Sequence, residues 1–242
     1  MHDRDSLHRF IFEHYPIRGH LVHLDASWRA LIEHRDYPGV IREALGETVV
    51  ASLLLAATIK FQGVLSLQLQ GPGAVQLLLP QCTSGLGVRG LARCREDLEA
   101  DVSSRGLQRL PGERGAAAPA TTVADPAAID DAWRRVQLIG ATLTPDELRS
   151  LADVEIVHRL FNEDDVRIFE PAPVYFRCRC SRDRVSGMLQ GLGGAETRSI
   201  LAERGEVEVR CDFCNRAYVF DAVDVGQLFN KGVASDASSS VH

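Results

Sequence analysis

The chain has 242 residues, 45% of them hydrophobic, with 33 acidic against 27 basic side chains and a net charge of -6. That length holds one good core plus a smaller module, and the acidic balance argues against general nucleic-acid binding, which leaves a basic footprint. The polar start Met1-His2-Asp3-Arg4-Asp5 lacks the apolar run of a secretory signal. The longest apolar stretch, Thr48 to Ile59, falls short of the roughly 17–25 residues that span a bilayer. The expectation is a cytoplasmic protein whose thiols meet a reducing environment.

Residues 7–24 alternate loosely and read as two strands broken at Pro16, Ile17 and Gly19. Ser27 is expected to cap a short helix through His34, with Trp28, Leu31 and Ile32 on one face. Pro38 sits where helices begin, followed by helical spacing at Val40, Ile41, Ala44 and Leu45. From Glu47 to Ile59 the pattern is apolar nearly all round, which predicts a helix buried on most sides. Val64 to Gln70 alternates at period two, and Gly71-Pro72-Gly73 turns it into Val75–Leu79 as a β-hairpin. Gly85–Ala92 reads as a further strand.

His20 and His23 are the close pair among the histidines, but three residues apart on a strand they face opposite sides, which argues against a shared ligand role. Cys82 and Cys94 stand alone and read as inert thiols.

Residues 115–129 form a connector rich in Ala, Pro and Thr. Ile129, Trp133, Val136 and Ile139 then suit an amphipathic helix. Thr144-Pro145-Asp146-Glu147 supplies an N-cap, an N1 proline and two acids for the helix dipole. Leu148, Leu151, Val154 and Leu160–Phe161 continue an apolar stripe that Asn162-Glu163-Asp164-Asp165 breaks. Isolated helices below about 12–15 residues are marginal in water, so their order must come from docking on something else.

Two thiol pairs follow, Cys178-Arg179-Cys180 and Cys211-Asp212-Phe213-Cys214, with 30 residues between them. On an extended segment the first pair points both side chains to one face, and the second has the look of a zinc-ribbon knuckle at a hairpin tip. Cys178, Cys180, Cys211 and Cys214 are therefore expected to hold one Zn2+ in a closed four-thiolate shell; the alternative is two structural pairs that never meet. Ser181 should cap a helix carrying Val185, Met188, Leu189 and Leu192. A second helix, about Glu196–Glu203, stops at Gly205. Strands around Val207–Val209 and Tyr218–Phe220 flank the knuckle, and Asp221 opens a last helix with Val225 and Leu228.

The fold class expected is α+β: a sheet-and-helix core over residues 1–114, a helical linker over 115–176, a small zinc-binding module over 177–232 and a disordered tail over 233–242.

Cys178-Arg179-Cys180-Ser181-Arg182, Ile200-Leu201-Ala202-Glu203 and Cys211-Asp212-Phe213-Cys214 with Tyr218 and Phe220 resemble the heat shock protein 33 family, the redox-regulated holdase chaperones of bacteria. Arg18-Gly19, Asp36-Tyr37-Pro38, Lys60-Phe61, Gln68-Leu69-Gln70-Gly71 and Arg89-Gly90-Leu91-Ala92-Arg93 resemble its N-terminal domain. The likeness runs from end to end, with one departure. Between Arg93 and Leu107-Gln108-Arg109-Leu110-Pro111 the family carries several dozen more residues than this chain. The resemblance implies a client-handling core, a metastable linker and a C-terminal redox switch, with unfolded client proteins as partners and a homodimer when oxidised. It also implies that oxidation forms the disulfides Cys178–Cys180 and Cys211–Cys214 and releases zinc.

Such pairing has an energetic consequence. Structural zinc is worth roughly 10–16 kcal/mol of apparent binding in small peptides, and that is folding energy. Disulfides closing loops of three or four residues contribute only about 1.5–2 kcal/mol each and do not link the two halves. A module of this size draws roughly 3–5 kcal/mol from its core, so loss of the metal should unfold it.

The rival readings are a nucleic-acid-binding zinc ribbon and a thiol oxidoreductase. Arg179, Arg182, Arg184, Arg210 and Arg216 favour the first, but Asp183, Glu206, Glu208 and Asp212 offset them. The second wants a low-pKa cysteine at a helix N-terminus, whereas Cys211–Cys214 sits in a hairpin. The expectation is a non-enzymatic protein with no specific nucleic acid and no membrane among its partners.

Overall fold

The computed structural model describes residues 5–73, 75–95 and 126–230. They form two compact units, the first built from residues up to Leu31 and from Tyr37 to Phe176, the second from Ile32–Asp36 and from Arg177 onward. The architecture is α+β. The Leu107–Pro111 segment, most of the 115–129 connector and the 233–242 tail lie outside the described residues.

In the first unit β1 (Ser6–Phe12) and β2 (Arg18–His23) pair antiparallel, with Phe10 opposite Gly19. A Cβ at residue 19 would stand 2.0 Å from Phe10 Cζ, so only glycine lets that ring lie across the partner strand. α1 (Ala26–Ile32) starts one residue before Ser27. Ser27 is therefore not the cap: its hydroxyl is buried and directed at the Val174 carbonyl, while the Asp5 carboxylate accepts from the backbone N–H groups of Asp25 and Ser27.

Glycine at position 46 does not interrupt the next element. α2 (Gly39–Thr58) is one continuous helix of 20 residues that takes in both the Val40–Leu45 spacing and the apolar run after Glu47. Its buried stripe is Ile41, Ala44, Leu45, Val49, Leu53 and Ala56, but Leu55 and Ile59 are 44% and 47% exposed. The helix thus buries one face, not most sides, chiefly against one sheet, with β2 of the first hairpin also touching it. That sheet is β3 (Val64–Ser66), β4 (Leu69–Gln70), β5 (Val75–Thr83) and β6 (Gly87–Cys94), with β5 at its centre; β4 and β5 form the expected hairpin. A Cβ at Gly90 of β6 would come within 3.3 Å of Leu45 and Val49, which marks a close approach of helix and sheet.

Two short helices and a longer one follow. In α3 (Pro126–Gly140) it is Ala132, Val136 and Ile139 that turn inward, while Trp133 is 46% exposed. α4 (Pro145–Ser150) begins with the full capping box, Thr144 accepting from the Glu147 N–H while the Glu147 carboxylate accepts from the Thr144 N–H. α5 (Asp153–Leu160) buries Ile156 and Val157. Leu148 and Val154 stay exposed, so the sequence-predicted stripe is split: helix positions on opposite sides of two short, separately oriented helices cannot share one face.

Phe10, Phe12 and Ile17 meet Val157 and Phe161 in one apolar cluster, with Phe12 and Phe161 edge to face at 4.9 Å. Each such side chain contributes roughly 1.5–3 kcal/mol of burial, which is what docks the short helices.

After α5 the chain returns to the sheets. β7 (Val166–Ile168) and β8 (Ala172–Pro173) both pair with β1, and β9 (Tyr175–Phe176) adds parallel to β6.

The second unit is α6 (Arg182–Leu192), α7 (Gly194–Arg204), the hairpin β10 (Val207–Arg210) with β11 (Ala217–Phe220), and α8 (Ala222–Asn230). Gly193 and Gly205, at φ of 102° and 80°, supply the breaks after α6 and α7. Its core is Val185, Leu189, Val207, Tyr218, Phe220 and Val225. Met188 and Leu192, expected inside, are 56% and 53% exposed, since α6 has neighbours on one side only. No helix among the described residues is long and apolar enough to cross a membrane.

Candidate metal centre

Two segments far apart in sequence bring the four thiols together. Cys178 and Cys180 lie on the extended stretch between β9 and α6, where the Ser181 hydroxyl accepts from the Arg184 N–H and starts the helix. Cys211 and Cys214 lie in the turn joining β10 to β11. There the Asn215 N–H donates to the Cys211 carbonyl at 2.8 Å and the Cys211 N–H to the Arg216 carbonyl at 3.0 Å. Asn215 takes φ of 54°, a left-handed turn that asparagine tolerates better than most residues.

All four sulfurs lie within 4.8 Å of one another, with Cys178 to Cys211 at 3.6 Å and Cys180 to Cys214 at 3.3 Å. Ligand sulfurs at about 2.3 Å from a tetrahedral ion stand about 3.8 Å apart, so the set is the right size to hold one metal ion. This is the arrangement expected from the spacing, and it discards the alternative of two pairs that never meet. Both of these close separations join opposite pairs, so proximity alone does not select a within-pair disulfide.

The electrostatics also ask for a cation. Burial opposes ionisation of Cys180, yet hydrogen bonds from the Tyr218 hydroxyl and from the Cys214, Cys178 and Cys211 thiols outweigh it and bring this thiol down to about 7. Burial pushes Cys178 and Cys214 up, and hydrogen bonds from their protonated thiols to the Cys180 sulfur add to the rise. Tyr218 is raised to about 12, first by its bond to Cys180 and then by burial. One thiolate forms readily; further negative charge beside it does not form without a positive partner.

Tyr218 was placed on its strand by the sequence but not assigned to the thiols; alternation puts it on the inner face, where it reaches Cys180. Arg182 anchors the surrounding fold: it bonds the Val219 carbonyl at 2.8 Å and the Asp224 carboxylate at 2.6 Å, and lies 4.2 Å over the Phe220 ring.

The other thiols stay apart. Cys82 is fully buried and pushed up to about 11 by that burial, and Cys94 is half-buried on β6. His20 and His23 do face opposite ways. His23 lies 3.7 Å from the Asp153 carboxylate, and His20 lines a separate pocket beside Arg9 and Arg18.

Comparison with known proteins agrees with this geometry. The family model described as Hsp33 protein matches residues 5–107 and 102–221. The chain is 40% identical to the 33 kDa chaperonin of Nitrosococcus oceani over 289 residues, covering 100% of both chains. It is 37% identical to the 33 kDa chaperonin of Methylobacillus flagellatus, covering 98% of this chain and 99% of that one. The crystal structure of the 33 kDa chaperonin of Thermotoga maritima has the same fold, with a TM-score of 0.71 at 16% identity over 95% of this chain and 99% of that chain. An alignment 289 positions long against a chain of 242 leaves several tens of the N. oceani protein's residues without a counterpart, and the two family matches meet at 102–107, which is where the sequence departs from the family. By family model, full-length relatives and fold, the chain belongs to the Hsp33 protein family, with a shortened N-terminal core.

Proposed function

We propose that the chain is a redox-regulated holdase: a chaperone that binds unfolding proteins after its clustered thiols are oxidised, working in the cytoplasm without enzymatic turnover. The observation that supports it is the convergence of Cys178, Cys180, Cys211 and Cys214 from two segments within 4.8 Å. In the reduced form these residues would hold one Zn2+, which would supply the positive charge that lets four thiolates coexist and would tie residues 178–180 to residues 211–214.

On this reading, oxidation joins Cys178 to Cys180 and Cys211 to Cys214. Each thiolate pair would give up two electrons to one peroxide, which takes two protons from solvent and leaves as two waters, and the pair would no longer hold the metal. Neither bridge spans the two segments, so the second unit unfolds. Helices α3 to α5, marginal by themselves and docked on Phe10, Phe12 and Ile17, would offer Val136, Val157 and Phe161 to client chains once that cluster also opens.

The ribbon-type nucleic-acid reading has weaker support. Arg182 is held by Asp224, Arg210 lies 2.5 Å from Glu208, and Arg184 bonds the Arg179 carbonyl, so these cations are engaged within the unit.

The test is light scattering of a heat-aggregating client with reduced and with peroxide-treated protein. Suppression only after oxidation is the expected result. Equal suppression in both states removes the redox switch, and none in either removes the holdase. Mapping the disulfides separates the pairing: bridges between 178/180 and 211/214 would keep the loop closed and defeat the unfolding argument.

A further inference from the structure

A small cavity of about 240 Å³ opens on the β1–β2 hairpin of the first unit. Three basic side chains surround it: Arg9, Arg18 and His20. Arg9 stands directly opposite His20 in the strand pairing, and Arg18 opposite Ile11, so all four share one face of the hairpin. Like charges placed opposite one another on a sheet are destabilising unless something neutralises them. Here no acidic side chain lines the cavity, and among the described residues neither Arg9 nor Arg18 makes an ion pair. The crowding is felt at His20, whose protonation is disfavoured by burial and then by the charges of Arg18 and Arg9. The remaining walls are apolar: Ile11, Ala57 of α2 and Phe169, which follows β7 and is held in place by its N–H bond to the Arg9 carbonyl at 2.9 Å.

We infer that this cavity is a binding site for a small oxyanion, a phosphate or carboxylate, carried on a compact apolar body. Two guanidinium forks and an imidazole are the donors that match such a group, and arginine binds it bidentately. The cavity is smaller than the roughly 300–1,000 Å³ of pockets that enclose drug-sized ligands, so one ring or a short chain is the body that fits against Ile11 and Phe169. Phe169 belongs to the segment that returns from the helices to the sheet. A ligand that needs this wall stabilises the docked form of residues 166–170 by mass action. Binding does not depend on the proposed holdase activity; only the corollary, that such a ligand raises the threshold for activation, rests on that reading.

The experiment is isothermal titration of the reduced, zinc-loaded full chain with inorganic phosphate, benzoate and phenyl phosphate at low salt. Phenyl phosphate should bind saturably, about tenfold tighter than inorganic phosphate. Arg18→Gln and Arg9→Gln should each weaken it about tenfold, and Phe169→Ala should abolish the preference over inorganic phosphate. Hydrogen–deuterium exchange of residues 166–170 should slow when phenyl phosphate is bound. No saturable binding of any probe at about 10 mM, or affinity unchanged in the Arg9→Gln/Arg18→Gln double variant, overturns the site. Equal affinity for phosphate and phenyl phosphate overturns the apolar body, and binding without slower exchange overturns the coupling to docking. None of these readouts uses chaperone activity, so failure here is separate from failure of the holdase reading.

Discussion

The Asp153 carboxylate accepts a hydrogen bond from Nδ1 of His8 at 2.9 Å, joining the first residue of α5 to β1 across 145 positions of sequence. Ser6 donates to the same oxygen at 3.1 Å, and His23 approaches the other at 3.7 Å. The Asp153 side chain is only 9% exposed, so it is a polar tie at the edge of the apolar contact that docks the helix.

Asp153→Ala leaves the buried Ser6 and the half-buried His8 without their acceptor, which costs about 1–3 kcal/mol. The loss should be local. Hydrogen–deuterium exchange of α5 amides in the reduced protein should accelerate by an order of magnitude or more, while β10 and β11 stay protected. Unchanged exchange in α5 would mean that the apolar cluster alone holds it.

Removing the metal from the second unit should cost it its tertiary structure. Incubation with a strong chelator under reducing conditions is expected to abolish near-UV dichroism from this unit, and added Zn2+ to restore it. Cys214→Ser, at the most buried of the four thiols, should lower metal affinity enough that the purified protein carries well under one ion. A chelated chain with an unchanged melting profile would show that the cluster is not structural.

Phe220 is 1% exposed at the centre of the second unit. Phe220→Ala should cost about 3–5 kcal/mol, comparable to everything a core of this size supplies. The expected outcome is a unit largely unfolded even when reduced, with metal lost on dialysis. On the proposed reading, aggregation is then suppressed without an oxidant. Normal metal content in this variant would place the stability of the unit elsewhere.

The pH dependence of stability has a definite sign at His20. Burial, then the charges of Arg18 and Arg9, hold its pKa below the ordinary imidazole value. The unfolded chain therefore takes up the proton first, and stability present above that ordinary value falls as the pH drops through it. The melting temperature should decline between about pH 7.5 and 5.5, and His20→Gln should flatten part of that slope. Saturating phenyl phosphate should flatten it too, by supplying the missing negative charge. A slope identical in wild type and His20→Gln would exclude this histidine as its source.

Local chemistry made much of the molecule legible. The two thiol pairs announced their convergence because four cysteines at such spacing have few other uses. Thr144, Ser181 and Gly205 marked helix ends because capping and left-handed turns depend on one or two neighbouring residues. The period-two runs and their glycine turns located the hairpins for the same reason. Other features depend on partners far along the chain. The strands of two or three residues at 166–176 carry a proline and little pattern, and exist because β1 and β6 offer open edges. Ser27 looked like a cap and is a buried donor to Val174; Leu55, Met188 and Leu192 looked buried and are not. Periodicity tells which residues share a face, but whether anything covers that face is settled only when the rest of the chain has packed.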